Sequence, residues 1–294
     1  MLDAIDREGG FSAAARVLHR VPSALTYTVN KLEADLGVSL FDRASGKPVL
    51  TEAGQDLLIQ GRTMLQYAAD AEQRLQHLSL GWESHLRIAV ADVIPLQWLY
   101  PLLTRFYAVG AVTQVQLLSE VYGGCWDALV SGRADLVVGA PGEGPPSGAY
   151  HQQQLGVVDF VFAVAPGHEL AQQPEPLAPD AIRRYRAVSA ADSSRQLLPR
   201  SSGLLGGQDV LTVPDQQAKL VAQCQGLGAG YLPRHLAAAA LKSGELIEKR
   251  VVDSKPAIGL SLVWRSGQAG AALNWFVSQL SGTNWLKEQI KRNA

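Results

Sequence analysis

Residues 11–37 read FSAAARVLHRVPSALTYTVNKLEADLG, and this stretch decides the architecture of the N-terminal part. Phe11 to Leu18 reads as a short helix with Ser12 as its N-cap. His19-Arg20-Val21 breaks it. Pro22 then suits the first position of a second helix, where its missing N–H costs nothing, and Gly37 suits the stop. Between them Val21, Leu25, Val29, Leu32 and Leu36 recur at steps of four, four, three and four, which is one face of a helix. The opposite face carries Ser23, Thr26, Tyr27, Asn30 and Lys31. Two helices joined by a tight turn, the second with a small polar outer face, make a helix-turn-helix, whose second helix is expected in the major groove of double-stranded DNA.

The next residues sharpen this reading. Phe41-Asp42-Arg43 and Val49-Leu50 flank Ala44-Ser45-Gly46-Lys47-Pro48, a hairpin with basic residues at base and tip. Such a wing is placed to meet phosphates. In residues 1–50 the bases Arg7, Arg16, Arg20, Lys31, Arg43 and Lys47 are balanced by Asp3, Asp6, Glu8, Glu33, Asp35 and Asp42. Attraction to DNA must therefore come from placement, and Arg20, Lys31, Arg43 and Lys47 all fall in the turn, the second helix or the wing. The candidate DNA contacts are Ser12, Arg20, Pro22, Ser23, Thr26, Tyr27, Asn30, Lys31, Arg43 and Lys47. A small helical domain that docks a protein is the plainer alternative.

After the wing no proline occurs until Pro95. Thr51 can cap a long helix, and Gly54 is tolerated early in it. Leu57, Gly61, Met64, Ala68, Ala71, Leu75 and Leu78 alternate by four and three, a heptad seam that predicts a homodimer through Leu57, Met64, Leu75 and Leu78. Packing against the chain's own C-terminal part is the alternative. Gly81-Trp82 ends the element.

Strand and helix patterns alternate over 85–294. Strands are expected at His85–Ala91, Val115–Leu118, Asp135–Gly139, Val157–Ala165, Ala187–Ala190, Leu211–Val213 and Ile258–Trp264, with helices near 96–107, 124–131 and 216–224. That order argues for an α/β domain with a mainly parallel sheet. Ligands of open α/β sheets sit at the carboxyl ends of strands. The candidate effector contacts there are Asp92, Val93, Ile94, Tyr122, Gly123, Gly139, Ala140, Pro141, Ala191, Asp192, Ser193, Val213 and Asp215. Trp98, Tyr122 and Trp126 admit an aromatic or largely apolar effector, although all three can equally be core. Asp92 and Asp192 would repel an anion unless they cap helices.

Several classes of function are disfavoured. Gly226-Leu-Gly-Ala-Gly follows a helix rather than a strand, so it is no dinucleotide fingerprint. There is no Gly-x-Ser-x-Gly elbow, and His151 and His168 lack a partnered nucleophile, so no catalytic residue is named. Cys125 and Cys224 form no ligand cluster, and nothing basic flanks them, which argues against a metal, a cofactor or a thiol switch. The opening residues carry acids where a signal peptide would be basic, and no apolar run is long enough to span a membrane. A cytoplasmic protein is expected. A pure small-molecule receptor without DNA binding is the rival reading, and the wing argues against it.

Phe11-Ser-Ala-Ala-Ala-Arg, Pro22-Ser-Ala-Leu-Thr, Lys31-Leu-Glu-Ala-Asp-Leu-Gly-Val-Ser-Leu-Phe-Asp-Arg and Leu50-Thr-Glu-Ala-Gly together resemble the DNA-binding signature of the LysR-type regulators. Gly132-Arg-Ala-Asp-Leu-Val-Val-Gly and Gly226-Leu-Gly-Ala-Gly-Tyr-Leu-Pro resemble sensor segments of that family, so the likeness spans nearly the whole chain. Asp3-Ala-Ile-Asp-Arg and Arg20-Val-Pro-Ser-Ala-Leu-Thr-Tyr resemble a YhaJ-like subgroup. The resemblance implies an all-α winged helix-turn-helix over 1–51 with a truncated first helix, a linker helix over 52–82, and an α/β effector domain over 85–294. That domain would be periplasmic-binding-protein-like, with two Rossmann-like lobes: lobe I over about 86–160 and 268–294, lobe II over about 161–267. It also implies a small-molecule effector between the lobes and assembly as a dimer of dimers. Ser12, Ser23, Thr26, Tyr27 and Arg43 fall on positions that touch DNA in the family.

Overall fold

The computed structural model describes residues 1–42, 48–79, 81–146, 149–267, 270–281 and 284–293, without the side chains of 66, 67, 69–79 and 293. The chain divides into two compact units, Met1–Gln76 and His77–Ala294, and each is taken by itself.

The first unit holds α1 (Leu2–Glu8), α2 (Phe11–Val17), α3 (Pro22–Leu36), the hairpin strands β1 (Phe41–Asp42) and β2 (Val49–Leu50), and most of α4 (Glu52–Ser79). Ile5, Ala14, Ala15, Leu25, Val29, Leu40, Phe41, Leu50 and Leu58 close a single core. Ser12 is not the cap of α2. Gly9 and Gly10 turn the chain so abruptly that the helix begins at Phe11, with Ala14 N–H already bonded to Gly10 O, and Ser12 sits exposed in the first turn. The apolar stripe of α3 is buried only in its middle, at Leu25 and Val29. Val21 and Leu36 at its ends are 62% and 50% exposed, because α1 and α2 cover only the central turns. Gly37 ends α3 at φ 68, the left-handed conformation that suits glycine. Thr51 Oγ1 caps α4 by accepting Gly54 N–H at 3.1 Å. Gly54 is more than tolerated, since a Cβ there would lie 2.1 Å from Leu40 O.

In the second unit, β3 (His85–Ala91), α5 (Tyr100–Ala108), β4 (Gln114–Glu120), α6 (Gly124–Val130), β5 (Leu136–Pro141) and β6 (Tyr150–Val158) build most of lobe I. Lobe II follows with β7 (Phe160–Val164), α7 (Pro179–Arg183), β8 (Ala187–Ala190), β9 (Val210–Val213), α8 (Gln216–Cys224), β10 (Gly230–Pro233), α9 (Arg234–Ser243) and β11 (Ile247–Glu248). The chain then returns to lobe I as β12 (Ile258–Arg265), α10 (Ala271–Leu280) and α11 (Trp285–Asn293).

Three expectations need correction here. Val157–Ala165 is two strands that part at Asp159, with β6 in the first sheet and β7 in the second. β12, expected in lobe II, lies in lobe I between β5 and β6, because its alternating apolar residues Leu260 and Leu262 enter that core. The sheets are not mainly parallel. The five-stranded sheet runs β4-β3-β5-β12-β6; β3 is parallel to β4 and β5, while β12 is antiparallel to β5 and β6. The second sheet, β10-β7-β11, is antiparallel throughout, and β8 and β9 form a separate parallel pair. Two crossings, at Asp159 and at 249–257, therefore join the lobes.

Candidate DNA-binding and effector-binding sites

The first unit separates its candidates from its core. Ser12, Arg20, Pro22, Ser23, Tyr27, Asn30 and Lys31 are exposed and Thr26 is half-buried. Tyr27 stands out at 71%, a ring held in water on a helix whose other face is dry. Thr26 Oγ–H donates to Pro22 O at 3.0 Å, which leaves its lone pairs outward. Arg43 and Lys47 lie outside the described residues.

On α4, Leu57 is half-buried against the unit's own core and Leu58 is fully in it, so the start of the expected seam packs inward. Ile59, Met64 and Leu65 are exposed at 59%, 72% and 70%. The side chains of Leu75 and Leu78 lie outside the described residues. Arg62 ties α4 to α1 by donating from Nε to Asp3 Oδ1 at 2.8 Å, with Asp6 3.6 Å away. Beside that fork lies a cavity of about 590 Å³ lined by Leu2, Leu57, Gly61 and Leu65.

In the second unit the two lobes touch directly, and each lends a carboxylate to the other. Asp92 of lobe I accepts Gln216 N–H, the first amide of α8 in lobe II, at 3.0 Å. Asp192 of lobe II accepts Gly123 N–H, just ahead of α6 in lobe I, at 3.0 Å, and also Ser194 N–H and Arg200 N–H at 2.7 Å each. Ser193 Oγ accepts Val121 N–H at 2.8 Å and donates to Glu120 Oε2. His235 Nε2–H of α9 donates to Val93 O at 2.8 Å. The Val121, Gly123 and Gln216 N–H groups at this contact are therefore already bonded.

Charge is handled differently in the two halves of this contact. Glu120 and Asp127 are buried but share Arg133 as their cation, and Asp127 also accepts Gln196 N–H and Leu197 N–H. Amides and Arg133 hold the Asp127 carboxyl below the ordinary carboxylate range despite its burial. Asp92 has the Gln216 and Val93 amides but no cation paired with it among the described residues, and burial pushes it up to about 7. Lys219, 3% exposed, is pushed down to about 7 by burial and by the nearby Lys255. Burial likewise raises Tyr122. Gln216 Oε1 and Ser194 Oγ are buried with no hydrogen-bond partner among the described residues.

The expected effector residues thus divide. Asp92, Val93, Tyr122, Gly123, Asp192 and Ser193 meet at the interlobe contact, and Tyr122 adopts φ 48 there. Ala191 bonds to Val213 O beside it, and Asp215 caps α8 through Ala218 N–H at 2.7 Å. Ile94, Gly139 and Ala140 belong instead to lobe I packing, with Gly139 backbone pressed on Ile94 and Ala91. Pro141 O accepts Trp126 Nε1–H at 2.9 Å, and Trp126 is wholly buried, so it is core. Trp98 is also buried, its ring 5.4 Å from that of His235. Cys125 is wholly buried and its thiol is raised well above the ordinary value. Gln216, Lys219, Glu120 and His235 were not among the expected site residues. The available signal was the polar stripe Gln216, Lys219, Gln223 on α8, at steps of three and four, on its buried face.

Residues 1–55 match the model described as "Bacterial regulatory helix-turn-helix protein, lysR family", and residues 80–284 match "LysR substrate binding domain". The chain belongs to the LysR family of transcription regulators. This LysR-family protein is similar to YeeY of Escherichia coli (strain K12), described as an uncharacterized HTH-type transcriptional regulator, at 42% identity over 95% of this chain and 91% of the relative. It is 36% identical to the probable HTH-type transcriptional regulator YhaJ of the same strain, over 95% and 93%. Full-length LysG from Corynebacterium glutamicum superimposes with a TM-score of 0.51 at 25% identity, over 95% and 94% of the two chains. The LysR-family protein is a regulator with a DNA-binding and an effector-binding domain, and not an enzyme. No helix among its described residues is long and apolar enough to cross a membrane, and no group of three or more metal-ligating side chains occurs among them.

Proposed function

We propose that this regulator reads double-stranded DNA through Ser12, Arg20, Pro22, Ser23, Thr26, Tyr27, Asn30, Lys31, Arg43 and Lys47, and that a small, neutral, ring-bearing effector held between the lobes controls it. The carrying observation is the reciprocal latch. Asp192 just ahead of α6, and Asp92 at the start of α8 once it ionises, supply negative charge there, so an anionic effector would meet like charge. A neutral ligand with an N–H or O–H donor instead gives Gln216 Oε1 its missing partner, with the half-buried Tyr122 beside it. The coupling to DNA is bounded by the ligand's differential affinity for latched and parted lobes. Assembly is proposed through α4, where Met64 of the heptad seam is exposed, first as a homodimer and then as a dimer of dimers.

The test is a thermal-shift screen of neutral aromatic compounds on wild type and on Ser193→Trp, which fills the interlobe contact. A ligand at one hundred times its Kd should stabilise wild type by about 2.7 kcal/mol and the variant by nothing. Equal stabilisation of both would place the site elsewhere.

A further inference from the structure

Lobe II contains a cavity of about 350 Å³ between the β10-β7-β11 sheet, α7 and the segments 202–205 and 251–256. Its walls are apolar: Phe162, Ile182, Leu205, Tyr231 and Val251 all border it. Protein interiors pack to the density of organic crystals, and a gap of this size falls in the range of small-ligand pockets. One cation borders it, Lys255. Among the described residues no carboxylate lies within ion-pair distance of that ammonium; its recorded contact is with the ring of Phe160, 3.8 Å from the centroid. Asp253 at the rim is exposed, and its backbone carbonyl accepts Tyr231 O–H at 2.8 Å. Burial pushes Lys255 down to about 8, as expected for a cation taken from water without a counter-charge.

We propose that this cavity is a second ligand site, distinct from the interlobe contact, for a small organic monocarboxylate whose apolar body fills the space beside Phe162, Ile182 and Val251 and whose carboxylate pairs with Lys255. Its position gives it leverage. Lys255 lies on the crossing at 249–257, and Phe160 begins the strand that follows the crossing at Asp159. A carboxylate that draws the ammonium toward the cavity alters a contact shared by both connections between the lobes.

The test uses phenylacetate and its neutral counterpart phenylacetamide, titrated calorimetrically into the full chain. Phenylacetate should bind saturably, and Lys255→Gln should weaken it about tenfold, the loss of one charge-assisted bond. Phenylacetamide should bind more weakly and be unaffected by Lys255→Gln. Val251→Trp, which fills the cavity from its wall, should abolish phenylacetate binding. No saturable binding at millimolar phenylacetate, indifference of phenylacetate to Lys255→Gln, or unchanged binding in Val251→Trp would each overturn the proposal. None of these outcomes bears on a neutral effector between the lobes, which is tested separately.

Discussion

Replacing Gly124 with alanine should pry the lobes apart. A Cβ at this position would lie 1.8 Å from Ser193 Oγ, 2.8 Å from Glu120 Oε2 and 3.0 Å from the Ser193 carbonyl carbon. The first contact is impossible, and the third is with backbone, so rotating the serine side chain relieves only part of the clash. Moving the segment breaks the bonds of Ser193 to Val121 N–H and Glu120, and strains Ser193 N–H to Val121 O at 3.3 Å. Overpacking costs about 1–3 kcal/mol, and each lost hydrogen bond about 0.5–1.5 kcal/mol. A loss of roughly 2–6 kcal/mol follows from these two effects. Chemical denaturation of the full chain, followed by the fluorescence of the effector domain, measures it. Gly124→Ala with Ser193→Gly should recover part of the loss, since the 1.8 Å contact goes while the backbone contact stays. A Gly124→Ala protein as stable as wild type, or a double variant no better than the single, would refute the interlobe contact as described.

Three further outcomes follow. Arg133→Gln should cost about 3–5 kcal/mol, because Glu120 and Asp127 would remain buried without their cation; denaturant titration checks it. Asp92→Asn keeps an acceptor for Gln216 N–H but removes the titration. Because the folded state raises the Asp92 pKa to about 7, its contribution is fully present below the ordinary carboxylate value and is lost as pH rises through about 7. Wild type should therefore lose stability relative to Asp92→Asn between about pH 4 and 7, by on the order of 4 kcal/mol. His235, lowered by burial, acts in the opposite direction but is present in both proteins, so it cancels in the difference. Met64→Glu should dissociate the dimer in sedimentation at micromolar concentration, through a charge buried in the α4 seam; an intact dimer would exclude that surface.

Local signals were legible in the sequence and long-range ones were not. Pro22 and Gly37 bound α3 at both ends, and β3, β8 and α8 begin and end where their patterns do, because caps and periodicity act within a few residues. Asp159 carried no punctuation, since Val157–Ala165 is apolar on both sides of it. The break is imposed by two sheets competing for the two halves. The place of β12 between β5 and β6 depends on partners more than a hundred residues away. The same limit applies to the interlobe contact. Asp92, Asp192 and Ser193 could be named as strand-end residues, whereas the groups they bond, Gln216, Gly123 and Glu120, are fixed by tertiary pairing. Gly139 and Ala140 also lie at a strand end but are consumed by core packing against Ile94 and its neighbours.

The central claim, that the exposed face of α3 reads DNA sequence, is tested most directly by the affinity of the full chain for the intergenic DNA upstream of its own gene. Anisotropy titrations across a salt series would compare that duplex with an unrelated one of equal length, for wild type and Tyr27→Ala. Wild type should prefer its own duplex by about a thousandfold or more. Tyr27→Ala should lose about tenfold or more of that preference while keeping its affinity for the unrelated duplex and its salt slope. Equal binding of wild type to both duplexes, or a Tyr27→Ala loss identical on both, would contradict it.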